Sequence, residues 1–220
     1  MKKISLFAGL MLTVASVFSQ GELPSNDPNA KKILDAVSSK FKTYSAVQAG
    51  FALKIEDSKG KVQGQKTGTV FMKGQKYKIS LQGQQEIYCD GKNVWTYDKS
   101  SNEVTITQVD PSANSITPQK LFTNFYDKDF LYKLNGEKVV AGKTVQEIEL
   151  TPVDKTKAFH KVYALVDKKT QTIYSTRVLE KNGNKYTYTV SSLNGKASIG
   201  DDTFVFNKAK YPGVEEVDLR

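Results

Sequence analysis

The sequence predicts a mainly β protein, a long antiparallel meander of around ten strands that curls, with two amphipathic helices to cover its hollow side. Three observations carry this. From Gln48 onward apolar residues recur at every second position, the period of a half-buried strand. Dipeptides ending in glycine, from Lys59-Gly60 to Asn194-Gly195, punctuate the chain at short intervals, as hairpin turns require. Two segments near residues 28–44 and 117–126 have helical spacing instead, each with a proline at its first position.

The first element is not part of the fold. Met1-Lys2-Lys3 is basic, Ile4 to Phe18 is uncharged and apolar, and Val17 and Ser19 suit positions −3 and −1 of a cleavage site. This pattern predicts a secretory signal peptide, residues 1–20, removed before a single domain over 21–220. The apolar run is shorter than the roughly 20 residues that span a bilayer. Cys89 lies far from the cleavage region, so no lipid anchor is expected there, and the mature protein is expected to be soluble, monomeric and periplasmic.

A helix follows. Asp27 is placed to N-cap it, Pro28 fits the first turn, and Ala30, Ile33, Leu34, Val37, Phe41 and Tyr44 form one stripe. Strands begin with Phe51, Leu53 and Ile55 alternating with Ala52, Lys54 and Glu56. They continue with Tyr77, Ile79 and Leu81, then Val104 and Ile106. Midway, Asp110-Pro111 opens a polar loop, and Thr117-Pro118 starts a short aromatic helix carrying Leu121, Phe122, Phe125 and Tyr126. Strands then resume at 130–134, 145–150, 161–166, 173–179, 186–190 and 204–206, before a Tyr211-Pro212-Gly213-Val214 tail.

Composition excludes much chemistry. The chain of 220 residues has one His and one Cys against eleven Tyr and eleven Phe, so neither an internal disulfide nor a histidine-based metal cluster is available. His160 has no HExxH context, Cys89 reads as a small apolar residue, and the pairs Asp201-Asp202 and Glu215-Glu216 read as solvated loops. No enzyme, cofactor or metal is expected. The formal charge is +9, or +7 without Lys2 and Lys3; in an exported chain this points away from nucleic acid and weakly towards acidic partners or membrane surfaces. A large antiparallel sheet curls, and its concave face must be filled, closed or covered. Two helices able to lift from it would leave a site for an apolar ligand.

Several segments together resemble the periplasmic outer-membrane lipoprotein carrier family, LolA-like: Gln48-Ala49-Gly50-Phe51, Asp57-Ser58-Lys59-Gly60, Gly68-Thr69-Val70-Phe71-Met72-Lys73 and above all Asp90-Gly91-Lys92-Asn93-Val94-Trp95-Thr96-Tyr97. The resemblance covers nearly the whole mature chain. It implies an unclosed antiparallel β-barrel of about eleven strands with an α-helical lid. It also implies a carrier that takes acylated lipoproteins from an inner-membrane ABC-type releasing complex, shields their acyl chains and passes them to an outer-membrane acceptor, here unspecified.

On this reading the apolar cavity is expected to be lined by Phe51, Leu53, Ile55, Tyr77, Ile79, Leu81 and Trp95. The lid is expected to carry Ile33, Leu34, Val37, Phe41, Leu121, Phe122, Phe125 and Tyr126. Permanent core is the alternative for each, because alternation does not separate a lined cavity from a packed one. One departure stands out: the resemblance implies an arginine shortly after Lys73 that holds the lid, and this chain has Gly74, Gln75 and Lys76 there. Lysine lacks the planar fork of a guanidinium, so the latch does not carry over. Two other readings stay open, a binding protein for another apolar ligand such as a free lipid, and a structural envelope protein.

Overall fold

The computed structural model describes residues 26–110 and 126–220. Helix α1 (Pro28–Lys42) is followed by strands β1 (Val47–Glu56), β2 (Val62–Lys73), β3 (Lys76–Leu81), β4 (Gln85–Cys89), β5 (Asn93–Asp98) and β6 (Glu103–Gln108). After helix α2 (Tyr126–Asp129) come β7 (Phe130–Val140), β8 (Lys143–Pro152), β9 (Phe159–Asp167), β10 (Thr172–Glu180), β11 (Lys185–Asn194) and, after two short 3-10 turns, β12 (Glu215–Asp218). All twelve strands lie in one sheet, ordered β12-β6-β5-β4-β3-β2-β1-β11-β10-β9-β8-β7. Its two ends, β12 and β7, do not pair with each other, so the barrel is unclosed.

Two meanders, β1 to β6 and β7 to β11, are joined by the antiparallel pairing of β1 with β11. A bulge between Gly50 and Phe51 bends that seam, the usual effect of an extra residue on one strand. The strand beyond the eleven expected is β12, which runs parallel to β6. The expected strand at 204–206 is absent; Asp201–Phe204 forms a 3-10 turn instead. Two glycine dipeptides also differ from the hairpin expectation. Asn135-Gly136 marks a register shift inside β7, with Gly136 at φ 124°. Gly195 has no positive φ; it makes room for Tyr44, whose ring a methyl group there would meet at 2.2 Å.

Helix α1 starts as its sequence implies and also seals a sheet edge. One Asp27 carboxylate oxygen accepts from the backbone of Asn29 and Ala30, at 2.8 and 3.4 Å, satisfying orphan donors of the first turn. The other accepts from Leu134 N at 2.9 Å, while Asp27 N donates to Tyr132 O at 3.1 Å and Asn26 Oδ1 accepts from Tyr132 N at 3.0 Å. Polar groups that β7 would present to another chain are thereby occupied. The backbone donors around Asp27 hold its carboxyl below the usual range.

The C-terminal segment fastens the opposite, outer side. After β11 it passes the β2–β3 turn, then lays Phe206 and Tyr211 on Tyr88 and Tyr97. Tyr211 stacks on Phe206 with ring centroids 4.7 Å apart and lies 4.3 Å from Tyr97. Asn102 ties the segment down: its amide donates to Pro212 O at 3.2 Å, its carbonyl accepts from Glu215 N at 3.0 Å, and its side-chain oxygen accepts from Tyr97 Oη at 3.0 Å. Phe206→Ala is expected to cost about 3–5 kcal/mol in urea unfolding, as for other buried aromatic truncations. Val139, which is 72% exposed, gives the contrast: Val139→Ala should change stability by no more than about 0.5 kcal/mol.

Candidate functional site

Strand register sorts the side chains onto two faces, since directly opposed residues share a side. Along one face Ala49 opposes Val70 and Val70 opposes Ile79, which opposes Ile87; likewise Val47, Met72, Tyr77, Cys89 and Val94 form a row. Phe51, Leu53 and Ile55 continue it into Val190, Tyr188 and Tyr186 of β11. Leu81 joins through Gly68, which opposes Phe51. This inner face is mostly apolar across adjacent strands, with Lys66 opposite Leu53 and Gln85 opposite Leu81, and it brings together six of the seven expected cavity residues, Phe51, Leu53, Ile55, Tyr77, Ile79 and Leu81.

Trp95 is the exception and is corrected here. It opposes Tyr88 and Ile106, the alternate set, and packs on the outer cluster of Tyr88, Tyr97, Val104, Phe206 and Val214. On β5 the inner face is held by the smaller Val94 and Thr96. The aromatic motif around Trp95 therefore anchors the C-terminal segment. Asp90 in the same motif accepts from Lys92 N and Asn93 N, at 2.8 and 2.7 Å, which is turn chemistry.

The inner face has two zones. Over β7 to β10, helix α1 is packed down: Ala30, Leu34 and Val37 are buried in one cluster with Phe130, Tyr132, Ile148, Leu150 and Val162, and Ile33 packs against it. Tyr126 of α2 belongs to the same cluster and donates to Asp35 Oδ1 at 2.7 Å. Lys31 bridges the two helices through Asp35 and Asp127, at 3.1 and 3.3 Å. Over β1 to β3, Phe41 and Tyr44 cover Val47, Ala49, Val70 and Met72. Further along the same strands Phe51, Ile55, Ile79 and Leu81 are half-buried. The Phe51 ring sits over Gly68, where a methyl group would meet it at 2.5 Å. Leu121, Phe122 and Phe125 lie outside the described residues.

A shallow crevice of about 10 Å³ opens between the last turn of α1 and strands β10 and β11, lined by Val37, Phe41, Tyr44, Ile173 and Leu193. That is about the room of one water and far below the roughly 300–1,000 Å³ of small-molecule sites, so this crevice does not house a lipid. Beside the inner face Cys89 is a buried free thiol, pushed up by burial, and Tyr77 is raised to about 12 for the same reason. Both stay protonated and neutral at physiological pH, as an apolar surface requires. His160 is exposed on β9.

Sequence reasoning missed what Lys73 and Lys76 do. Their ammonium groups grip opposite oxygens of Asp201 at 2.8 and 2.7 Å, and Lys73 also donates to Ile199 O at 3.3 Å. The turn expected to meet a lid holds the start of the C-terminal segment. Sequence spacing carries no signal for this, since these partners lie 125 and 128 positions apart.

Comparison with known proteins agrees with this architecture. Residues 42–207 match the family described as outer membrane lipoprotein carrier protein LolA. No curated protein matches the sequence. Among solved structures, an uncharacterized conserved protein of Thermus thermophilus aligns with TM-score 0.58 at 12% identity, over 86% of this chain and 99% of that one. The lipoprotein LppX of Mycobacterium tuberculosis aligns with TM-score 0.51 at 13% identity, over 80% and 100%. A LolA superfamily protein of Nitrosomonas europaea gives TM-score 0.43 at 14% identity, over 80% and 97%. At these identities the first two likenesses concern fold alone, and nothing is drawn from the third.

The paired lysines lower the Asp201 carboxyl to about 2. A depressed carboxylate contributes stability that is present above its unfolded pKa and lost as pH falls through the folded value. Amides of Thr203 and Val205, which close the turn at Asp201, should therefore lose exchange protection between about pH 4 and pH 2, and Asp201→Asn should abolish that dependence. Because the pair is exposed, added salt at about 0.5 M should move the titration towards the ordinary value. A midpoint at the ordinary value of 3.8 at low salt would show that the lysines do not hold the carboxylate.

Proposed function

This chain belongs to the outer membrane lipoprotein carrier family, and from that premise we propose that it is an exported carrier that shields lipoprotein acyl chains against its apolar inner face. The observation that supports this most is the continuous row through Val70, Ile79 and Ile87, with Phe51 and Ile55 beside it only half-buried. Each buried methylene is worth about 0.8 kcal/mol, so a multiply acylated protein crossing an aqueous compartment needs such a face. On this reading residues 1–20 direct export and are removed. An inner-membrane ABC-type complex loads the carrier, and an outer-membrane acceptor receives the cargo. The work is binding and transfer, and no step calls for a catalytic group.

Loading needs part of the inner face to be uncovered. Helix α1 is divided for this role. Its first turns are fixed by Asp27 and the cluster on β7 to β10, whereas Phe41 and Tyr44 at its end cover Val47 and Met72. Movement of that last turn would widen the crevice beside Ile173 and Leu193 and add the face under Phe41 to it. Covering residues that must leave before cargo binds weaken its affinity, which lets the carrier release what it holds.

A second reading, a binding protein for a free lipid, draws on one observation. At the position that the resemblance fills with a lid-holding arginine, Lys76 reaches Asp201. A device for handing over cargo would then be absent while the apolar face remains. Release of lipoproteins from spheroplasts by added protein separates the two, since a free-lipid binder releases none yet yields stoichiometric lipid on extraction.

Ile79→Glu places a carboxylate in the middle of the row and should lower uptake of a fluorescent fatty acid at least about tenfold. Far-ultraviolet circular dichroism should keep its native form. Ile79→Trp, which fills space without charge, should reduce uptake too and guards against a folding defect in the first variant. Trp95→Phe, on the outer face, should leave uptake unchanged. Equal uptake by the natural protein and both Ile79 variants would sink the assignment of this face as the acyl site.

A further inference from the structure

The antiparallel order brings the turns after β1, β3, β5, β8 and β10 to one end of the barrel. They touch: a methyl group on Gly183 would meet Ser58 at 2.5 Å, Lys181 N donates to Ala158 O, and Lys99 N donates to Gln84 O, both at 2.9 Å. Segments 54–62, 98–102, 153–158 and 180–185 of this rim carry eight lysines against five carboxylates. Most of these carboxylates are engaged by local donors rather than by lysines. Asp57 turns inward onto the amides of Lys59 and Lys61, Asp98 onto Ser100, Asp154 onto Thr156, and Glu180 accepts from Asn182. Glu56 pairs with Lys54.

Lys59, Lys61, Lys99, Lys155 and Lys181 are all exposed. Among the described residues none of these five has a carboxylate within ion-pair distance; the ammonium groups of Lys155 and Lys181 donate to the neutral carbonyls of Pro152 and Lys155, and Lys181 also lies in the field of Asp154. At the other end of the barrel more of the lysines are answered, Lys73 and Lys76 by Asp201, Lys143 by Asp167 and Lys168 by Glu137, whereas Lys92 and Lys169 have no carboxylate within ion-pair distance among the described residues. Carboxylates of Asp127 and Asp129 on α2 limit the basic rim at its β7 side.

The rim is also where the apolar face comes to the surface. Val47 and Ala49 at the far end of β1 are 2% exposed, whereas Tyr188 beside Leu53 is 38% and Val62 at the start of β2 is 47% exposed. Cations in excess and without direct ion pairs, around exposed apolar side chains, complement a surface that is anionic outside and apolar beneath. We propose that this rim docks on bilayers containing anionic phospholipid, through contact of the five lysines with headgroup phosphates and shallow entry of Val62 and Val153. The orientation sets the open part of the inner face against the membrane. The docking goes beyond the carrier reading and stands whatever the apolar cargo is.

Vesicle sedimentation tests it with the protein as purified from its cell. Vesicles of about 40% phosphatidylglycerol in phosphatidylcholine should bind the protein, pure phosphatidylcholine should not, and salt at about 0.5 M should release it. Each lysine removed should cost roughly fivefold in binding, so Lys59→Gln with Lys181→Gln should lose more than about tenfold. Lys92→Gln with Lys169→Gln, exposed at the other end, has the same net charge change and should lose little. Equal loss in both pairs, equal binding to neutral vesicles, or no binding to anionic ones overturns the proposal; the last outcome would favour an acidic protein partner. Fatty-acid uptake is read separately, so vesicle binding without uptake leaves the docking standing and removes the carrier reading, and the converse does the opposite.

Discussion

The pairing of β1 with β11 is the constraint on which the rest depends. Each of the two meanders is local, built from hairpins that fold on themselves. Only this seam, between residues more than a hundred positions apart, makes one curved sheet of them. It also sets phase. Gly50 meets Ser192, whose hydroxyl accepts from Gly50 N at 3.1 Å, and the bulge that follows brings Phe51 opposite Val190. A slip of one residue here would turn Phe51, Leu53 and Ile55 to the outside, and the inner face would lose its centre.

From that seam the two faces diverge in role. Outside, the aromatic pile of Tyr88, Tyr97, Phe206 and Tyr211 is a fixed clasp. Glu86 accepts from the hydroxyls of both Tyr88 and Tyr211, with Lys78 at 3.4 Å, and these donors hold its carboxyl below the usual range despite burial. A strand edge that would otherwise be open at β6 is covered by β12 as a result. Inside, helix α1 is pinned at its start and covers rather than fills at its end. Rigidity on one side and partial coverage on the other suit a container that has to open without unfolding.

Much of this is legible in the sequence because burial imposes period. The α1 stripe, the β1 and β3 alternations and the Asp27 cap are readable because each depends on neighbours within a few residues. Trp95 departs from its expected place because bulk is no sign of a cavity; its phase relative to Cys89 and Val94 decides its face. Asn135-Gly136 and Asn194-Gly195 look like hairpin turns, but one is a bulge and the other a landing place for Tyr44. Local composition does not distinguish these uses of glycine. Strand β12 and the grip of Lys73 and Lys76 on Asp201 rest on contacts across most of the chain, for which the sequence offers no periodic signal.

In this account acyl chains occupy the inner face and not the aromatic outer one. Photo-crosslinking tests that most directly. A photoreactive amino acid is placed at Ile79 or Phe51 on the inside, and at Trp95 or Tyr88 on the outside, in cells whose lipoproteins carry labelled palmitate. Labelled adducts are expected from the inner positions alone. Adducts from Trp95 and Tyr88 with none from Ile79 and Phe51 would contradict it.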